Sequence, residues 1–144
     1  MLKILIMLLF SISANATTYV GVNHGNHFLN NNLNNTHPYI SFENEEYGIS
    51  YFLNSFERLS LAGYRKFGIT NEQHSFNLRV GVTTGYSKDN LYKGRIYTIS
   101  NALFPIDDVM FVIVPEYRYN INGLNYFNAS VLGDSLSFGF GFEF

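Results

Sequence analysis

The sequence predicts an all-β fold, an eight-stranded antiparallel up-and-down transmembrane β-barrel, on three observations. The chain ends in SLSFGFGFEF, with Phe at every second position from Phe138 to Phe144. Period two puts Leu136, Phe138, Phe140, Phe142 and Phe144 on one strand face and Ser137, Gly139, Gly141 and Glu143 on the other. A half-buried strand in water carries solvated groups on its outer face, whereas phenylalanines against lipid and small residues toward a closed lumen account for both faces together. Residues 75–86 repeat the pattern: Phe76, Leu78, Val80, Val82, Thr84 and Tyr86 alternate with Asn77, Arg79, Gly81, Thr83 and Gly85. Composition agrees, with 14% charged and 17% aromatic residues, the latter 14 Phe and 11 Tyr.

Other classes fall away on the same numbers. A net charge of −2 without a basic patch excludes nucleic acid as a partner. With no cysteine there are no disulfides, thiolate zinc sites or cysteine nucleophiles. A lipocalin-like soluble barrel is the main rival, but its outward faces would need charge, and the polar faces of the two clearest strands offer only Arg79 and Glu143.

The elements follow in order. MLKILIMLLFSISANA has one positive residue, Lys3, a short apolar run and an Ala14-Asn15-Ala16 cleavage pattern, so residues 1–16 read as a signal peptide and 17–144 as one barrel domain. That run is far shorter than the ~20 residues a spanning helix needs. Alternation and polar breaks place strands at 18–27, 38–44, 47–54, 59–67, 75–86, 95–103, 109–117 and 136–144. SKDNLYKG, between the fifth and sixth, reads as a long exposed loop.

With termini on the periplasmic side, odd strands end at the outer rim. That rim then gathers His24 and His27, Asn54 and Ser55, Tyr86, and Glu116. A serine hydroxyl needs a nearby base to take its proton, and this layout offers one in histidine. Metal ligation is not expected, because the two histidines have no third ligand at suitable spacing. No cofactor motif is present either, since the glycine-containing segments do not join a strand to a helix.

At these residues the chain resembles a known family. HFLNNNLNNTHP, YGISYFLNSFERLSLAGY, RVGVTTGYSKDNL, ALFPI and VIVPEY are similar, in order, to pieces of the lipid A palmitoyltransferase (PagP-like) outer-membrane barrels. The resemblance covers about residues 24–144. It implies an acyl chain moved from phospholipid to lipid A by a histidine and an Asp-Ser pair at the outer side. Here these correspond to Asn54-Ser55, with Asn54 where the family has Asp, and to His27 or else His24, the latter otherwise an accessory residue. Independently of the resemblance, Glu116 at the neighbouring rim position is the accessory residue that would supply the charge Asn54 lacks. The resemblance also implies residence in the outer membrane after signal-peptide removal, insertion by the barrel assembly machinery, and a monomer. Prolines at matching places flank lateral openings for lipid in the family, which here points to Pro38, Pro105 and Pro115, each lacking a ladder donor. The bland reading sets all three in rim turns above the bilayer.

Two further expectations concern the lumen. Gly81, Gly85, Gly139 and Gly141 leave room for an acyl chain, and Arg79 pairs with Glu143 as a floor beneath it. The competing function is a non-catalytic barrel with a structural, shielding or partner-binding role.

Overall fold

The computed structural model describes residues 17–27, 33–86, 108–132 and 135–144. They form eight strands: β1 (Thr17–His27), β2 (Thr36–Glu43), β3 (Tyr47–Leu53), β4 (Leu59–Thr70), β5 (His74–Thr84), β6 (Val109–Asn120), β7 (Asn125–Leu132) and β8 (Ser135–Glu143). Each pairs antiparallel with its sequence neighbour, and β8 closes on β1 from Tyr19↔Glu143 to His27↔Ser135. Closure leaves no free sheet edge around the ring, the condition for backbone to sit in hydrocarbon.

The barrel is inside out relative to a water-soluble one. Ser41, Glu43, Asn54, Ser60, Thr83 and Asn128 are fully buried, whereas Leu59, Ile69, Phe76, Phe138 and Phe142 stand exposed on the wall. The lipocalin alternative requires the opposite arrangement. Tight turns at the end holding the termini are built by asparagine: Asn44 Oδ1 accepts from the backbone N–H of Glu46 and Tyr47, and Asn71 Oδ1 from those of Gln73 and His74.

Two sequence expectations about strands change. The segment 109–117 is the sixth strand and continues to Asn120, while the seventh is Asn125–Leu132, which the sequence reading passed over. The strand expected at 95–103, the loop at SKDNLYKG and Pro105 lie outside the described residues, as does the signal segment 1–16. Because β6 is an even strand it runs from the rim back toward the termini. Glu116 therefore lies in the terminus-side half of the barrel, not at the outer rim.

The expected room at the glycines is already taken. A Cβ on Gly21 would meet the Tyr39 hydroxyl at 2.6 Å, and one on Gly48 the Tyr64 ring at 2.5 Å. One on Gly141 would strike the Tyr126 hydroxyl, and one on Gly139 the side chains of Asn23 and Asn128. At Gly81 the obstacle is backbone, the Gly63 carbonyl, and at Gly85 (φ +89°) it is Ser60. These glycines make space for inward tyrosines and asparagines from facing strands, so they mark close packing and not a cavity.

Candidate functional site

In the terminus-side half, charges fill the lumen. Glu43, the last residue of β2, accepts from Tyr64 (2.6 Å), Lys66 (3.3 Å), Arg79 (2.8 Å) and Arg118 (3.1 Å). Glu116 bonds Arg79 at 3.0 Å and contacts Arg118 Nε at 2.6 Å. The guanidinium of Arg118 lies over Tyr19 (4.2 Å) and Tyr126 (5.1 Å), and that of Arg79 over Tyr64 (5.0 Å). Tyr39 and Tyr126 join hydroxyls at 2.5 Å above them. Arg79 thus pairs with Glu43 and Glu116, not with Glu143. A floor is present as expected, but its hub is Glu43, whose signal was its inward period with Tyr39 and Ser41.

The rim is built from three chain segments. His27 ends β1 and points inward, whereas His24, three residues earlier, falls on the opposite face and meets Thr36 Oγ1 at 3.3 Å. The structure thus sets His24, expected as an accessory residue, on the face away from His27. Facing His27 is His37 of β2, with ring centroids 6.3 Å apart and planes near perpendicular. His37 Nδ1 lies 3.0 Å from the Leu53 carbonyl, which can only accept, so the Nδ1 proton is donated and Nε2 is left as the acceptor when the ring is neutral. The sequence reading missed His37; its signal was the inward parity with Tyr39 across Pro38.

Ser55 follows in the β3–β4 turn, half-buried, and its carbonyl accepts from Asn34 N–H at 2.8 Å, which seats the β1–β2 connection on this turn. Asn54 beside it is fully buried and uses its whole amide. Its Nδ2 donates to Ser60 Oγ and the Gly85 carbonyl, both at 2.9 Å, while Oδ1 accepts from Phe56 N–H (2.8 Å) and Arg58 N–H (3.1 Å). Asn54 is thus a bracket that fixes the turn carrying Ser55 against β4 and the end of β5. Glu116 cannot lend charge here, since it is committed to the arginines of the floor. Among the described residues no three His, Asp or Glu side chains gather to hold a metal.

The prolines mark two seams. Pro38 pairs with Val22 of β1, but the β2–β3 ladder begins only at Tyr39↔Phe52. There the His37–Leu53 hydrogen bond ties the two strands above the last ladder pair. Pro115 pairs with Leu78 of β5, yet among the described residues the β6–β7 ladder stops at Glu116↔Ser130. Among the described residues, β6 from Val109 to Pro115 pairs with β5 and with no other strand. Behind this seam Met110 and Val112 pack inside the barrel with Tyr86, and Phe56, Val114 and Leu132 close around them. In front of it a recess of about 470 Å³ opens on the wall, lined by residues that include Phe76, Leu78, Pro115, Val131 and Leu136.

Tyr86 of the expected rim is therefore part of an apolar cluster, not a polar partner of the histidines. The rim brings together His27, His37, the Leu53 carbonyl and the turn of Asn54 and Ser55, and leaves out His24 and Glu116.

Neither a family model nor a curated protein matches the chain. Among solved structures, a barrel from the de novo design of transmembrane β-barrels superposes with a TM-score of 0.52 at 11% identity, covering 90% of this chain and 94% of that one. Ail, the attachment invasion locus protein of Yersinia pestis, gives a TM-score of 0.41 at 15% identity, covering 90% and 97%. The designed barrel shares the fold and nothing finer.

Proposed function

We propose that this chain is an outer-membrane acyltransferase that takes an acyl chain of a phospholipid through the seam between β6 and β7 and passes it to lipid A at the outer rim. The observation that carries the reading is the seam. A gap in a barrel ladder in hydrocarbon is costly, and here the stretch of β6 that among the described residues lacks a ladder to β7 separates an apolar recess outside from an apolar cluster inside. In this scheme Ser55 attacks the phospholipid ester and becomes acylated while His27 takes the serine proton and passes it to the departing lysophospholipid hydroxyl. A lipid A hydroxyl then takes the acyl chain, its proton returns to Ser55 through His27, and His37 flanks the base from a fixed orientation. Asn54 positions the serine without sharing in proton transfer. The resemblance of the rim segments to lipid A palmitoyltransferases supports the choice of donor and acceptor, and the closed charged floor supports action on lipid in place of conduction.

Mass spectrometry of lipid A from cells expressing the chain tests this. The wild type is expected to add one acyl chain, and Ser55→Ala or His27→Ala to lower that product by about 10²–10⁴-fold with the barrel still folded. The double variant should lose no more than either single one, because the two act as a unit. Unmodified lipid A from a wild-type barrel folded in the outer membrane would give preference to the non-catalytic barrel. The observation favouring that second reading is the tight packing of the lumen around the glycines.

A further inference from the structure

Among the described residues, Arg65 is the one Lys, Arg, Asp or Glu on the outward faces of the eight strands. A charge on a lipid-facing wall is costly in a depth-dependent way and marks a function by default. Its setting is specific. The guanidinium lies 5.0 Å from the Phe67 ring centroid and 5.7 Å from that of Tyr47. Glu46, in the β2–β3 turn at the terminus end, is 3.7 Å away, and both side chains are more than half exposed. One cation and one anion therefore stand side by side at the membrane edge, in a pair too loose and too solvated to satisfy either fully.

The wall beside this pair is indented. Gly63, two residues along β4, has open space where a Cβ would stand, with nothing within 4 Å. The recess of about 340 Å³ is lined by Ile49, Gly63, Val80 and Val82, with Tyr47 and Arg65 at its edge. Ile49 and Val82 flank Gly63 directly in the ladder.

We propose that this recess docks one phospholipid with an ethanolamine headgroup, its phosphate on Arg65, its ammonium on Glu46 and an acyl chain over Gly63. A guanidinium fits a phosphate bidentately, and a carboxylate accepts from an ammonium N–H, which a choline headgroup does not offer. Phosphatidylglycerol supplies the phosphate alone. The site occupies β3–β5 and shares no residue with the rim or the β6–β7 seam, so it stands apart from the proposed acyl transfer.

Native mass spectrometry of the full chain purified from membranes, with folding checked by heat-modifiable gel mobility, tests the site. Phosphatidylethanolamine, phosphatidylcholine and phosphatidylglycerol of identical acyl chains are titrated separately. Phosphatidylethanolamine should be retained about fivefold more than either other lipid, the scale of one charge-assisted hydrogen bond between half-exposed groups. Arg65→Gln should lower retention of all three. Glu46→Gln should erase the preference over both phosphatidylcholine and phosphatidylglycerol, leaving the three lipids held alike through Arg65. Gly63→Leu, which fills open space and leaves the charges in place, should lower all three while gel mobility stays as in wild type. Equal retention of the three lipids, or an Arg65→Gln or Gly63→Leu variant that holds phosphatidylethanolamine as the wild type does, would overturn the site. Lipid A acylation in the Arg65→Gln variant is expected to be unchanged, which separates this result from that of the rim.

Discussion

Glu43→Ala is expected to cost the barrel about 3–5 kcal/mol, the range for removing one partner of a buried ion network. Glu43 is 1% exposed and receives hydrogen bonds from Tyr64, Lys66, Arg79 and Arg118. Three cations and two carboxylates meet there, so removing Glu43 leaves Glu116 alone against all three cations. The Tyr64 hydroxyl loses its acceptor at the same time. Lys66→Met is the informative contrast. Lys66 keeps 15% side-chain exposure, and its loss leaves two arginines facing two glutamates, so the effect should stay within about 1 kcal/mol. The chain has no Trp, so urea unfolding is best followed by heat-modifiable gel mobility in vesicles. Equal midpoints for Glu43→Ala and wild type would mean that the floor does not hold the barrel together.

Asn54→Asp is the second large effect, and its sign is the unexpected part. The family resemblance invites the view that a carboxylate at this position restores a catalytic triad. The hydrogen bonds say otherwise: Nδ2 donates to Ser60 Oγ and to the Gly85 carbonyl at 2.9 Å, and a carboxylate oxygen in its place would face that carbonyl with no proton between them. Ser60 can turn its hydroxyl to donate, but a carbonyl cannot, so about 1–3 kcal/mol of stability should be lost for the buried clash. Lipid A acylation should fall with it, as the turn carrying Ser55 loosens. Asn54→Asp with undiminished stability and raised acylation would return Asn54 to the chemistry and remove it from the scaffold.

The barrel was legible where alternation is pure. In β5 and β8, Phe and Val alternate with Gly, Ser and Thr, and both strands fall within a residue or two of the expected places at most ends. β7 was not legible, because NYFNASVL carries Asn128, Ala129 and Ser130 between Phe127 and Val131, and the preceding Asn120 to Asn125 reads as loop. Its parity nonetheless holds, with Tyr126, Asn128 and Ser130 inward. The strand expected at 95–103 made 109–117 the seventh and set Glu116 at the rim; as the sixth strand it runs the other way, which puts Glu116 at the floor. The histidines show a finer limit. His24 and His27 differ by an odd number of residues, so one face could never hold both, yet only pairing to β2 brings His37 opposite His27. The glycines misled for a physical reason: a missing side chain reads as a void in one strand, whereas the facing strand supplies Tyr39, Tyr64 or Tyr126 to fill it.

The claim that a lipid chain reaches the interior between β6 and β7 is most directly tested by photo-cross-linking. The barrel is reconstituted with a phospholipid bearing a diazirine on its acyl chain, irradiated and mapped by peptide mass spectrometry. Lateral access predicts adducts on the inward residues Met110, Val112 and Val114 behind the seam, in addition to those on the outward wall. Adducts confined to outward residues such as Ile113, Phe127 and Val131 would contradict it, and the seam would then be closed to lipid.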